Sequence, residues 1–247
     1  MRQIRLAAIY NVWIDSIELL QGSIACVKDH VDEIIIVYQN TSNYGESADT
    51  MTPLLHAIKD VETRLFCFKP YPNQPGSFNE RAKRNIGLDI ARSSGCTHFL
   101  MLDCDEYYSN FETAKRIFFE SYHNGSVVKL HTYFKRPTLM LEEDEKYWVP
   151  FIHKLTSNTV AGQSSYPFYV DPTRRINEDD VVELPIHMHH FSWVRKDIKL
   201  KIRNSSAKAN IEKSRLFEDW ALAEPGYFVK DYNSKLIEVP NLFNIVI

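Results

Sequence analysis

No run of about 18 apolar residues, the length a bilayer-spanning helix needs, occurs in the 247 residues. The start, MRQIRLAAIY, holds one short apolar run, and Asn11 and Asp15 interrupt it too early for a signal peptide. Cysteine is scarce. The four residues at 26, 67, 96 and 104 form no C-x-x-C pair, so free thiols in a reducing compartment are expected, rather than a zinc site or a disulfide framework. The 8 glycines build no GxxxxGK[ST] loop, no GxGxxG turn and no G-x-S-x-G elbow, which argues against P-loop, ordinary dinucleotide and serine-hydrolase chemistry. Neither charge sign dominates. With 29 Lys+Arg against 32 Asp+Glu and a net charge of -3, no nucleic-acid partner is expected.

What is present suits one substantial core. Apolar residues reach 44%, with 13 Tyr and 14 Phe, and that mix opposes disorder. The first half alternates strand-like and helix-like segments. Ile4 to Tyr10 and Ile34 to Tyr38 read as buried strands, and Ile17, Leu20, Ile24 and Val27 recur at helical spacing between them. Thr52 and Pro53 suit a helix start, Arg64 to Phe68 a third strand, Asn79 to Arg92 a second long helix, and His98 to Leu102 a fourth strand. Repeated strand–helix–strand units imply an α/β fold with a mostly parallel central sheet and flanking helices.

Beyond residue 125 the pattern changes. Val127 to Lys135 alternates like a half-buried strand, leaving Lys129, His131, Tyr133 and Lys135 on a polar face suited to line a cleft. Further strands are expected near 150–156, 168–171 and 181–191, and a charged helix from Lys196 to Glu218. With no long linker or internal repeat, residues 1–247 are expected to form one domain with a smaller mixed-sheet region in its second part.

Chemistry concentrates at two places. The strand HFLMLDCDEYY ends in Asp103, Asp105 and Glu106, and ligands of open α/β sheets gather beyond the carboxyl ends of strands. Three acids in four residues repel one another unless a cation joins them, and a hard divalent ion with phosphate oxygens meets that demand. A solvated acidic turn is the plainer reading of the same residues. Arg81, Lys83 and Arg84 on the preceding helix are positioned to meet anionic substrate groups, or to form its wet face. The second place is PIHMHHFSWVR, where three histidines in four residues suit metal ligation better than a core. If this is a strand, His187 and His189 share a face and His190 takes the other. A basic run follows, from Arg195 through Lys201, Lys213 and Arg215, suited to a diphosphate or to an anionic surface.

The segment RNIGLDIARSSGCTHFLMLDCDEYY, the N-terminal pattern IYNVWIDSIELLQGSIACVKDHVDEIIIVYQNTS and the later HMHHFSWVR together resemble small glycosyltransferases of the nucleotide-sugar-binding GT-A fold, particularly their family 2-like group. The resemblance covers about residues 4 to 110, with the histidine segment added. It implies a GT-A-like domain, with residues 1–110 holding a nucleoside-diphosphate sugar and 111–247 facing a glycan or lipid-linked acceptor, through Lys129, His131, Tyr133, Lys135, Trp148 and His153. It also implies metal-dependent sugar transfer with inversion. Asp105 would bind Mn2+ or Mg2+, Asp103 would approach the ribose or a metal-bound water, and His189 or His190 would supply the later ligand. Tyr10 and Asn11 would lie near the nucleotide, with Arg84 and Arg195 towards its phosphates. Where many relatives carry a base-reading acid after the second strand, this chain has Gln39-Asn40-Thr41-Ser42, which leaves the base unnamed. The acceptor's hydroxyl proton needs a base, which the carboxylate of an acidic residue supplies. Asp179 or Asp180 is favoured because that segment leads back to the histidines, with Glu143 as the other choice. The expected setting is cytoplasmic, with peripheral contact to the inner membrane face left open. A metal-dependent nucleotidyltransferase or phosphohydrolase and a noncatalytic carbohydrate-binding protein are the competing readings.

Overall fold

The computed structural model describes residues 3–212 and 214–247, so Lys213 of the basic run lies outside the described residues. The first half contains β1 (Leu6–Val12), α1 (Ile17–Val27), β2 (Glu33–Tyr38), α2 (Met51–Ala57), β3 (Arg64–Cys67), α3 (Gly76–Ser93) and β4 (His98–Asp103). These four strands are parallel neighbours in the order β4–β1–β2–β3. β1 is buried on both faces, which explains its unbroken apolar run. Leu6, Ala8, Tyr10 and Val12 pack with Leu20 and Ile24 of α1, whereas Ala7 and Ile9 pack with Leu88 and Ala91 of α3. The period-two alternation of a strand therefore assigns each residue of β1 to a helix layer.

α3 is held unusually close to β1. A Cβ built on Gly87 would stand 2.2 Å from Cγ2 of Ile9, so only glycine permits this approach. One turn earlier the same helix carries Lys83 and Arg84, and the packing at Gly87 sets their distance from the strand ends.

The second half adds β5 (Glu106–Tyr107), α4 (Phe111–Ser121), β6 (Gly125–Phe134), β7 (Leu139–Leu141), β8 (Val149–Lys154), β9 (Val181–Trp193), α5 (Ile198–Asn204), α6 (Lys208–Ile211), α7 (Leu216–Leu222), β10 (Phe228–Val229) and β11 (Ser234–Glu238). All eleven strands join one sheet along the path β10–β11–β7–β6–β8–β4–β1–β2–β3, with β9 beside β6 and β5 beside β9. The expected mostly parallel sheet is corrected here. Beyond the β1–β4 unit only β6–β9 is parallel, and the remaining pairings are antiparallel. For β6–β7 and β10–β11 the physical reason is the connection, which turns in a few residues, too few for the crossover that parallel neighbours require. The molecule is an α/β protein built on one large mixed sheet flanked by helices.

Two further expectations change. Residues 168–171 form no strand, only a single bridge between Trp148 and Val170. The charged helix expected over 196–218 is three short helices, broken where Ser205 and Ser214 hydrogen-bond neighbouring backbone. Among the described residues no helix is long and apolar enough to cross a membrane.

Candidate active site at the carboxyl ends of the parallel strands

β1 and β4 end side by side, with Asn11 opposite Asp103 in register. Beyond them lies a cavity of about 390 Å³. Its walls come from the loop after β1, one face of α3, the acids after β4, the end of β9, and α5. Strand alternation puts Asn11 and Asp103 on the α3 side, where Lys83 and Arg84 are 5% and 3% exposed. These two cations are therefore not a wet helix face.

Asp103 is held by two guanidinium groups, Arg84 at 3.3 Å and Arg174 more closely. Burial alone would raise its pKa, but Arg174 and Arg84 outweigh burial and hold the carboxyl below the usual range. Asp105 is buried with Arg195 as its close partner, Lys201 at 3.5 Å and His190 at 3.9 Å. All three approach Oδ2, and among the described residues Oδ1 takes no hydrogen bond. Here too burial is outweighed, by Arg195, Lys201 and His190, and the carboxyl stays ionised. Burial pushes His190 down to about 4, so its ring is neutral near pH 7, and its buried Nδ1 has no partner among the described residues.

The third acid of the run points elsewhere. Glu106, 2% exposed, takes both of its oxygens to Arg174, while one also accepts the N–H of Asp103 at 3.2 Å. Burial pushes it up to about 7 against the pull of Arg174, with Asp103 adding to the rise. One buried guanidinium thus braces two carboxylates and fixes the turn from β4 into β5.

The cavity lining carries Asp15, Glu80, Asp103, Asp105 and Asp171 against Lys83, Arg84, Arg195 and Lys201, one acid more than it has cations. Burial raises Asp15 and Glu80 and lowers Lys83 and Lys201. Several polar atoms of the wall are buried and unpaired among the described residues, including both amide atoms of Asn11, Nε and Nη1 of Arg84, and Nε1 of Trp13. Such atoms are costly unless a polar ligand meets them.

Of the residues expected at a site, Asn11, Lys83, Arg84, Asp103, Asp105, His190, Arg195 and Lys201 meet at this cavity. The others do not, and each has a local reason. Tyr10 points to α1, where its hydroxyl lies 3.1 Å from Ser23 Oγ, because it alternates with Asn11 along β1. Gln39 is fully buried at the end of β2 and lies off the cavity. His189 faces away from His190 on the opposite side of β9, and its Nδ1 lies 2.9 Å from the Tyr133 hydroxyl.

Asp179 and Asp180 lie furthest from the cavity along β9. They precede β9, whereas the cavity touches its last residues, roughly 30 Å further along the strand at ~3.3 Å per residue. Asp180 instead bonds His123 at 2.6 Å and the N–H of Asn124 at 3.1 Å. Glu143 lies in an exposed loop, tied by its N–H to Ser234 Oγ at 3.0 Å. The acceptor face also turns away: His153 is buried against the Tyr166 hydroxyl, and Lys129 lies 3.6 Å above the ring of Trp148.

Three residues of the site, and Glu145 outside it, had no clear sequence signal. Arg174 lies in a short turn between strands. Asp171-Pro172 reads as a cap with proline at the first helical position, and Asp171 does accept the Thr173 N–H at 2.7 Å, but that signal does not say what the side chain faces. Glu80 sits one turn before Arg84. Glu145 hides in the EEDEK run, where its carboxyl accepts from the Thr132 hydroxyl and burial pushes it up to about 7.

No family model matches the chain, and no curated protein matches it. Among solved structures it is similar to the crystal structure of S. aureus TarS 1-349, at 12% identity and TM-score 0.49, over 76% of this chain and 61% of that one. It is also similar to TarS 1-349 in complex with UDP-GlcNAc, at 13% identity and TM-score 0.49, over 75% and 58%. The mannose-1-phosphate geranyltransferase from Thermus thermophilus is similar at 14% identity and TM-score 0.34, over 63% and 51%. The chain spans less than two thirds of each of these, and likenesses at these values assign neither family nor function.

Proposed function

We propose that this protein is a GT-A-like glycosyltransferase that moves a sugar from a nucleoside-diphosphate donor to a hydroxyl of a glycan or lipid-linked acceptor. The observation that carries the reading is the convergence, on one cavity of about 390 Å³ at the strand ends, of Asp103, Asp105 and His190 with Lys83, Arg84, Arg195 and Lys201. The residues fit a divalent cation on charge grounds. The lining's formal excess of one acid is offset by Arg174 behind Asp103, so the negative charge that a diphosphate brings is what a cation would offset. Asp105, through its free Oδ1, and His190 would hold Mn2+ or Mg2+, with Asp103 beside them. When bound, the cation stabilises negative charge on the departing diphosphate.

The protein's own groups do the rest. Arg84, Lys83, Lys201 and Arg195 bind diphosphate oxygens, and Asn11 and Trp13 offer hydrogen bonds to the rest of the donor. Asp171 takes the place of Asp179, Asp180 and Glu143 as acceptor base, because it lines both this cavity and the adjoining one of about 80 Å³. The acceptor oxygen forms a bond to the anomeric carbon, its proton passes to Asp171, and the carbon–oxygen bond to the diphosphate breaks with its electron pair. Attack opposite the leaving group inverts that carbon. Residues 1–110 supply the donor side, and 111–247 supply Asp171, His190, Arg195 and Lys201, which supports one catalytic unit. Four unpaired cysteines support a reducing, cytoplasmic setting.

The test is a panel of nucleotide sugars with Mn2+ or Mg2+, reading acceptor-dependent release of nucleoside diphosphate. Asp171→Asn keeps the cap at Thr173, so a fall of about 10² to 10⁴ in kcat with unchanged donor affinity is expected. Asp105→Asn should weaken metal-dependent turnover by about 10²-fold or more. Full activity in either variant removes its assigned role, and a folded protein that neither binds nor turns over any donor rejects the reading.

A further inference from the structure

On the other side of β9 from the cavity, a second group of side chains lies together. His131 of β6, His187 of β9 and Asp144 of the EEDEK loop bring their ligating atoms within 4.8 Å of one another. Asp144 bridges the rings: Oδ1 is 3.3 Å from His131 Nδ1, and Oδ2 is 3.0 Å from His187 Nε2. The register Lys129–His187 and His131–His189 makes the two histidines diagonal neighbours on one face, which backbone pairing enforces. Among the described residues no other group meets this spacing. A pocket of about 220 Å³ opens beside it, lined by His131, His187 and His189 with Tyr108, Ser109 and Asn110.

We infer that His131, His187 and Asp144 form a transition-metal site of the zinc class, separate from the cavity of the proposed transferase. Two ligands at ~2.1 Å from one ion stand about 3.0 Å apart at octahedral angles and about 3.4 Å apart at tetrahedral angles. The two nitrogen–oxygen separations, 3.3 Å to Oδ1 and 3.0 Å to Oδ2, lie in that range, with Asp144 binding through both oxygens or turning to offer one. Two imidazoles and one carboxylate select zinc, cobalt or nickel over magnesium and calcium, which prefer all-oxygen shells. Three protein ligands leave a position for water or a ligand atom, and the adjoining pocket gives it room. The rings stack in parallel at 4.1 Å and must tilt to bring both lone pairs onto one ion. Their side chains are 31% and 37% exposed and Asp144 is 38% exposed, so the tilt displaces no core residue.

The observation is independent of the cavity, and so is its test. The full chain, prepared without a histidine tag and stripped with chelator, is titrated with Zn2+ by calorimetry and with Co2+ by visible absorption. One equivalent that does not depend on Asp105 is expected with low-micromolar or tighter affinity, together with a d–d band characteristic of low coordination number. Asp105→Asn keeps this equivalent. His131→Ala, His187→Ala and Asp144→Asn each weaken it at least tenfold, with far-UV circular dichroism unchanged. Asp144→Asn lies in an exposed loop and serves if a histidine variant fails to fold. A wild-type chain that binds no zinc, or a folded Asp144→Asn variant that binds it as tightly as wild type, overturns the site. Loss of zinc binding in Asp105→Asn alone would move the ion to the cavity and likewise overturn it.

Discussion

The charges of this protein are meaningful one residue at a time. Asp103 and Asp105 are adjacent in sequence to Cys104, yet each has its own guanidinium, Arg174 and Arg195 respectively. A net charge of -3 conceals this pairing. Glu145 carries the clearest pH signature. Burial raises its pKa to about 7, whereas a free glutamate titrates near ~4.3. The folded state therefore holds this proton across a window where the unfolded chain has released it. From this residue, stability is fully present below about pH 4.3 and falls as pH rises towards 7, by roughly 3 kcal/mol or less. Glu145→Gln mimics the protonated form and still accepts from Thr132. Urea unfolding should show the variant gaining stability over wild type at pH 8 but not at pH 4. An equal difference at both pH values would mean that Glu145 does not titrate with folding.

At the scale of elements, α3 aims the cavity's cations. Its span was readable, since the expected Asn79 to Arg92 lies within the observed Gly76–Ser93. What sequence could not supply is its distance from β1, which depends on Gly87 against Ile9. Gly87→Ala should cost about 1–3 kcal/mol, because Ile9 must move within a full core. It should also weaken donor binding, since Lys83 and Arg84 move with the helix. Thermal unfolding and donor titration read the two effects, and an unchanged melting temperature would show that the core yields freely. β9 teaches the opposite lesson. Its histidines were legible as a strand face, but strand direction alone decides that His190 and not Asp180 reaches the cavity.

The whole molecule depends on its last segment more than composition suggests. β11 extends the sheet through β7, and Val229 and Leu236 pack with Phe134 and Trp193. Further on, Phe243 and Ile245 cover Tyr107 and Phe191, and Tyr232 forms part of the cavity wall. Deleting residues 228–247 should therefore abolish cooperative unfolding, or leave a product that binds hydrophobic dye. A truncated chain with a single sharp transition near the wild-type midpoint would contradict this.

Sequence by itself determined the local matters: the four strands of the first half, the helices between them, and the acidic end of the fourth. These follow from periodicities of a few residues and need no distant partner. Tertiary structure alone decided which charges meet. Arg174 reaches Asp103 across 71 residues, and Arg195 reaches Asp105 across 90. It likewise divided His189 from His190, brought Asp144 onto two histidines, and turned the later strands antiparallel. The reason is physical. Period and propensity act along the chain, whereas a charge finds its partner through the sheet, whose order and direction depend on how every strand packs.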